Sequence, residues 1–107
     1  MFAIAYDFDN EALKKNYHVD SYTNAYGDFR KFMATRGFSS QQGSVLYGDD
    51  TVTAVTATLA IVAASAKFPW LAPSVADMRI LRIIDKDDLR PALGLVTPTP
   101  PLAFVGS

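Results

Sequence analysis

Residues Thr51 to Lys67 read TVTAVTATLAIVAASAK, and the choice between strand and helix for this stretch decides the fold. Threonine and valine are β-branched and favour strand on propensity alone. Yet Val52, Val55, Leu59, Val62 and Ala66 recur at helical spacing, and seventeen residues would make an unusually long strand. The stretch therefore reads as a helix. Gly48-Asp49-Asp50 before it forms a turn, with a cap and two negative charges for the helix N-terminus.

Working outward, Phe38 to Gln41 and Ser44 to Tyr47 are short strand candidates on either side of Gln42-Gly43. Gly43 is free to take a positive φ, which suits a tight hairpin or bulge. Upstream, SYTNAYGDFRKFMATRG places Tyr22, Ala25, Tyr26, Phe29, Phe32 and Met33 on one stripe. This is a second helix, with Asp20 or Ser21 to cap it and Gly37 to end it. Residues 9–20 are polar and read as a loop with one helical turn, with Asp9 in solvent. Residues 2–7 (FAIAYD) form a strand that is apolar on both alternating faces. Downstream, FPWLAP is a stiff connector whose Trp70 packs on the core. Residues 77–84 (DMRILRII) are the last strand, and Lys86 to Leu93 a short helix. TPTPP breaks regular structure ahead of an apolar tail, LAFVGS.

The order is β-α-β-β-α-β, the α+β arrangement called ferredoxin-like: an antiparallel sheet with both helices on one face. A first strand apolar on both faces needs cover on the helix-free side as well. A homodimer through that other face supplies it, and about 800 Å² per partner is ordinary for a stable dimer. Residues 1–90 make this domain, and 91–107 a proline-rich C-terminal extension.

Composition narrows the function. The chain has 107 residues, half of them hydrophobic, which suits one folded domain. No apolar run reaches the roughly 18 residues that cross a bilayer, and the apolar N-terminus lacks the basic start of a signal peptide. There is no cysteine, so disulfides and thiolate metal sites are excluded, which fits a cytoplasmic location. Ten basic side chains face eleven acidic ones, which disfavours tight nonspecific grip on nucleic acid but leaves room for a local basic patch. No phosphate-binding glycine loop, nucleophile elbow or dinucleotide fingerprint is present. His18 is the lone histidine, too isolated for a zinc site.

Five stretches together resemble the virulence-associated protein D (VapD) family: FAIAYDF, SYTNAYGDFRKFMATRGF, QGSVLY, FPWL and VADMRILRI, in order, across residues 1–90. The resemblance implies a small cytoplasmic ferredoxin-like homodimer, distantly related to the small endoribonuclease of CRISPR adaptation modules. It implies cleavage of single-stranded RNA, mRNA included, by a toxin that an antitoxin protein neutralises. It also implies a role for an aspartate at the end of the first strand near its two-fold mate. The matching residue here is Asp7.

Asp7 is accordingly the first catalytic candidate. Paired copies could share a Mg²⁺ ion or split into one protonated and one charged carboxylate. A bland reading is a strand-ending acid bonded to a nearby loop. Ser44, after the Gly43 turn, is the second, offering a hydroxyl or N–H to phosphate; satisfying its own hairpin is the competing and more common role. RNA-binding candidates are Tyr6, which could stack on a base, Gln42, Gly43, Arg79 and Arg82. Regular alternation places the two arginines on opposite faces, and a salt bridge to Asp7 or Asp77 is the competing role. The leading expectation is an endoribonuclease. The alternative is a non-catalytic dimeric interaction module with the same fold.

Overall fold

The computed structural model describes residues 1–18, 20–85 and 87–94. The chain runs β1 (Phe2–Phe8), α1 (Asn10–Asn16), α2 (Asn24–Ala34), β2 (Phe38–Gln42), β3 (Val45–Gly48), α3 (Ala54–Lys67), α4 (Leu71–Ser74) and β4 (Val75–Arg82), then a 3₁₀ turn at Arg90–Ala92. The four strands form one antiparallel sheet in the order β2-β3-β1-β4. This is the ferredoxin-like arrangement expected from the sequence. The proline cluster and the apolar tail, within residues 95–107, lie outside the described residues.

Register decides which side chains share a face, because directly paired residues point to the same side. Ile4 pairs with Leu46 and Ile80, and Tyr6 with Met78. Ile4, Tyr6, Phe8, Leu46 and Phe38 meet Ala25, Phe29 and Met33 of α2 and Ala57, Ala60 and Ala64 of α3 in one buried cluster. Phe29 is central: its ring lies 5.0 Å from Tyr6 and 5.7 Å from Phe8, both edge-on, a preferred aromatic geometry. Trp70 closes one end of the core, 5.3 Å from Tyr17 and 6.1 Å from Phe8.

Several local details differ from the sequence reading. Residues 10–16 form a true helix, and Asp9 is its N-cap, accepting from the N–H groups of Glu11 (3.0 Å) and Ala12 (3.4 Å). Helix α2 starts at Asn24 without a side-chain cap, so neither Asp20 nor Ser21 serves that role. Gly37 does follow it with φ +90°, and Gly43 takes φ +42° in the hairpin. At α3 the cap is Thr53. Its hydroxyl accepts from the Thr56 N–H (3.1 Å), and the Thr56 hydroxyl accepts from the Thr53 N–H (2.8 Å). Asp49 instead closes the preceding turn by accepting from Thr51 N–H and hydroxyl (2.8 and 2.5 Å).

Helix α3 buries Ala57, Ala60 and Ala64 and exposes most of its larger residues. Val55, Leu59 and Val62 are 68, 58 and 59% exposed. Small residues let the helix axis come close to the sheet, and the broad stripe faces outward.

Candidate active site

The helix-free face of the sheet carries Ala3, Ala5 and Asp7 of β1. In register beside them stand Tyr47 and Val45 of β3 on one side, and Leu81, Arg79 and Asp77 of β4 on the other. Asp7 is exposed on this face. Directly opposite it is Asp77. Two like charges in a cross-strand pair repel, so the arrangement calls for a cation. Arg79, two residues along on the same face, meets the call for one partner only. Its Nε lies 3.1 Å from both carboxylate oxygens of Asp77. Asp7 takes no hydrogen bond or ion pair from any described residue.

Just past Asp7 the β1–β4 register slips: Asp7 pairs with Asp77, but Phe8 with Val75, leaving Ala76 unmatched. Such a bulge bends the strand and re-aims its side chains. It sits where β1 leaves the sheet for α1. Next to Asp7, the Tyr6 N–H donates to the Ser44 carbonyl (3.0 Å). The Gly43–Ser44 turn is thereby tied to the same end of the sheet. Gln42 pairs with Val45 across that hairpin.

The structure thus places Asp7, Asp77 and Arg79 on one face, and the Gly43–Ser44 turn, with the backbone of Gln42, at the same end of the sheet. It separates two candidates from them. Tyr6 points into the core, 3% exposed, with Phe8 and Phe29 against its ring. No ring face remains for a base, and its hydroxyl is buried without a hydrogen-bond partner among the described residues. Arg82 pairs with Phe2 and so faces the helix side. It also lies five residues from Asp77, roughly 16 Å along the strand. The expected split of Arg79 and Arg82 between the two faces is what the register gives. The opposing Asp77 was legible only in part: Asp-x-Arg at period two puts both on one face, but pairing with Asp7 depends on register.

The Asp7 charge reaches beyond its own face. Burial, first, and the Asp7 carboxylate, second, raise the Tyr26 phenol above its ordinary range. The Tyr26 hydroxyl donates to Asn10 (3.1 Å) at the start of α1. Among the described residues no three or more His, Cys, Asp or Glu side chains gather as a metal site, and no helix is long and apolar enough to cross a membrane.

No family model matches the chain. Individual proteins do. The chain is 40% identical over 93 residues to Endoribonuclease VapD 2 of Riemerella anatipestifer, covering 87% of this chain and 99% of that protein. It is 38% identical over 96 residues to an Endoribonuclease VapD homolog of Helicobacter pylori, covering 90% and 99%. Against Endoribonuclease VapD of Dichelobacter nodosus it is 33% identical over 88 residues, covering 82% and 91%. Identity at this level across nearly the whole of each relative, joined to the fold above, means that the chain belongs to the VapD family.

Proposed function

We propose that this protein is an endoribonuclease that cleaves single-stranded RNA as a cytoplasmic homodimer, with Asp7 as the reactive carboxylate. One observation carries the reading. Asp7 stands exposed on the helix-free sheet face, opposite a second acid, and is the member of that pair left without a cation. The names of its relatives, endoribonucleases, support it.

Asp7 takes the proton from the attacking hydroxyl as the new P–O bond forms, and the leaving ribose oxygen takes a proton from water as the old one breaks. Arg79 turns its remaining N–H donors to the phosphate, whose growing negative charge it offsets. The Gly43–Ser44 turn supplies N–H and hydroxyl donors beside it. A Mg²⁺ ion would be held by the Asp7 carboxylate, which has no cation of its own, with water and substrate oxygens completing its shell; Asp77 would join only by giving up Arg79. When bound, such an ion supplies positive charge to a phosphate oxygen. Val45, Leu81 and the small Ala3 and Ala5 give the same face an apolar floor for a second copy, which brings two Asp7 residues towards one cleft. The toxin–antitoxin setting rests on the family resemblance alone.

The test is Asp7→Asn, which keeps shape and removes the charge. Cleavage of single-stranded RNA should fall about a hundredfold or more, with the folded signal and solution mass unchanged. A variant that cuts as fast as the parent, with Mg²⁺ or with EDTA, removes Asp7 from the chemistry. The non-catalytic interaction module gains from the exposed Val55–Leu59–Val62 stripe of α3. It predicts that highly purified parent protein leaves RNA intact under every one of these conditions.

A further inference from the structure

The basic side chains are unevenly spread. Lys14, Arg79 and Arg90 are tied to Glu11, Asp77 and Asp88. Arg30, Lys31 and Arg36, in α2 and just after it, and Lys67, the last residue of α3, take no carboxylate among the described residues. Three of them come together on the helix layer: Lys31 and Lys67 line one groove, and Arg36 lies over the ring of Phe32 in that lining. A near-neutral protein thus carries a local surplus of positive charge.

Between α2 and the C-terminus of α3 lies an open groove of about 470 Å³, lined by Asp28, Lys31, Phe32, Thr35, Lys67 and Phe68. Its lysines are exposed and come from different helices; its phenyl rings are half-buried. The rings meet edge-on at 5.8 Å. Lys67 Nζ lies 5.8 Å over the Phe68 ring, and Arg36 Cζ 5.0 Å over that of Phe32. The single acid of the lining, Asp28, is already engaged: the Tyr17 hydroxyl donates to it at 2.5 Å. Neither lysine forms an ion pair among the described residues, and with Arg36 they outnumber the one carboxylate.

Cations alternating with aromatic rings match the repeating unit of a single nucleic-acid strand, a phosphate followed by a flat base. An acidic peptide would use the lysines and leave the rings idle. We infer that this groove is an accessory site for single-stranded RNA: Lys31 and Lys67 take phosphate, and an unpaired base replaces the Lys67 and Arg36 side chains over the outer sides of Phe68 and Phe32, the inner side of Phe68 being packed on Trp70 at 5.1 Å. It holds a stretch of strand remote from the one presented to Asp7. The inference rests on the endoribonuclease reading and extends it to a second surface.

The experiment is the double variant Lys31→Ala/Lys67→Ala in the full chain. Both side chains are exposed, and a circular dichroism spectrum matching the parent's documents an intact fold. For long single-stranded RNA, KM should rise about tenfold with kcat unchanged. The slope of log affinity against log salt should shrink by about 1.4, at roughly 0.7 per lost phosphate contact. A short oligonucleotide that spans only the Asp7 face should be cut equally well by both proteins. Unaltered KM and salt slope on long RNA overturn the groove assignment and leave the endoribonuclease reading standing. So does a variant with unaltered RNA kinetics that loses binding to a polyglutamate probe, which would give the groove to an acidic protein partner. A parent protein that neither binds nor cuts RNA overturns both readings together.

Discussion

At Asp9 the carboxylate turns back on its own chain and accepts from the first free N–H groups of α1. Asp7, two residues earlier and still in the strand, projects from the sheet face with no such donor in reach. Residue type is the same; the backbone around it sets the role. Tyr17 makes the same point with a phenol. The hydrogen bond to Asp28, then burial, then the Asp28 charge hold its hydroxyl protonated and push its pKa from 10.0 up to about 12. A phenol whose folded value lies above its unfolded one stabilises the fold fully below about pH 10. That contribution is lost as pH climbs from 10 towards 12, because the unfolded chain ionises first. Tyr17→Phe should remove this part of the alkaline decline. Denaturant unfolding of both proteins at a series of pH values across that window is the measurement, and parallel declines would refute the assignment.

At the scale of elements, α3 is set by how close it can come. Gly48, at the end of β3, leaves no room for a side chain. A Cβ there would meet Val52 Cβ at 2.8 Å and its Cγ1 at 2.9 Å. Val52 is buried and belongs to the core, so the turn into α3 cannot yield cheaply. Gly48→Ala should cost about 1–3 kcal/mol, the usual range for overpacking a filled site. A midpoint of thermal unfolding equal to that of the parent would show that the turn can relax. Helical spacing in residues 51–67 revealed the helix correctly. It could not reveal which face is buried, since a helix that packs by alanine shows its largest residues to solvent.

For the molecule as a whole, the sheet has one face under the helices and one without them. The bare face grades from apolar to charged: Leu81 beside Ala3 at one end, Val45 and Arg79 level with Ala5, and Asp7 opposite Asp77 at the other end. Leu81 is 41% exposed there. If this face is where two protomers meet, Leu81→Glu puts a charge into the apolar part without touching the acidic end. The dimer dissociation constant should then rise at least tenfold, about 1.4 kcal/mol, read by sedimentation equilibrium. A parent protein that sediments as a monomer at high concentration would overturn the shared cleft. Unaltered association in the variant would move the contact elsewhere.

The order of the four strands and of helices α2 and α3 was legible in the sequence because it follows from spacing and local chemistry, whereas α1 and α4 were read as a loop and a connector. Period two in FAIAYDF, the i, i+3, i+4 stripe of α2 and the positive φ required of Gly37 and Gly43 are all local facts. So was the place of Asp7 at a strand end, which made it a candidate site. The tertiary structure alone decided what each of these residues meets. It turned Tyr6 into the core, set Asp77 against Asp7, left Arg82 on the far face and drew Lys31 and Lys67 into one groove. Each of those depends on strand register or on two helices lying side by side, and contacts between residues so far apart in the chain leave no periodic trace in it.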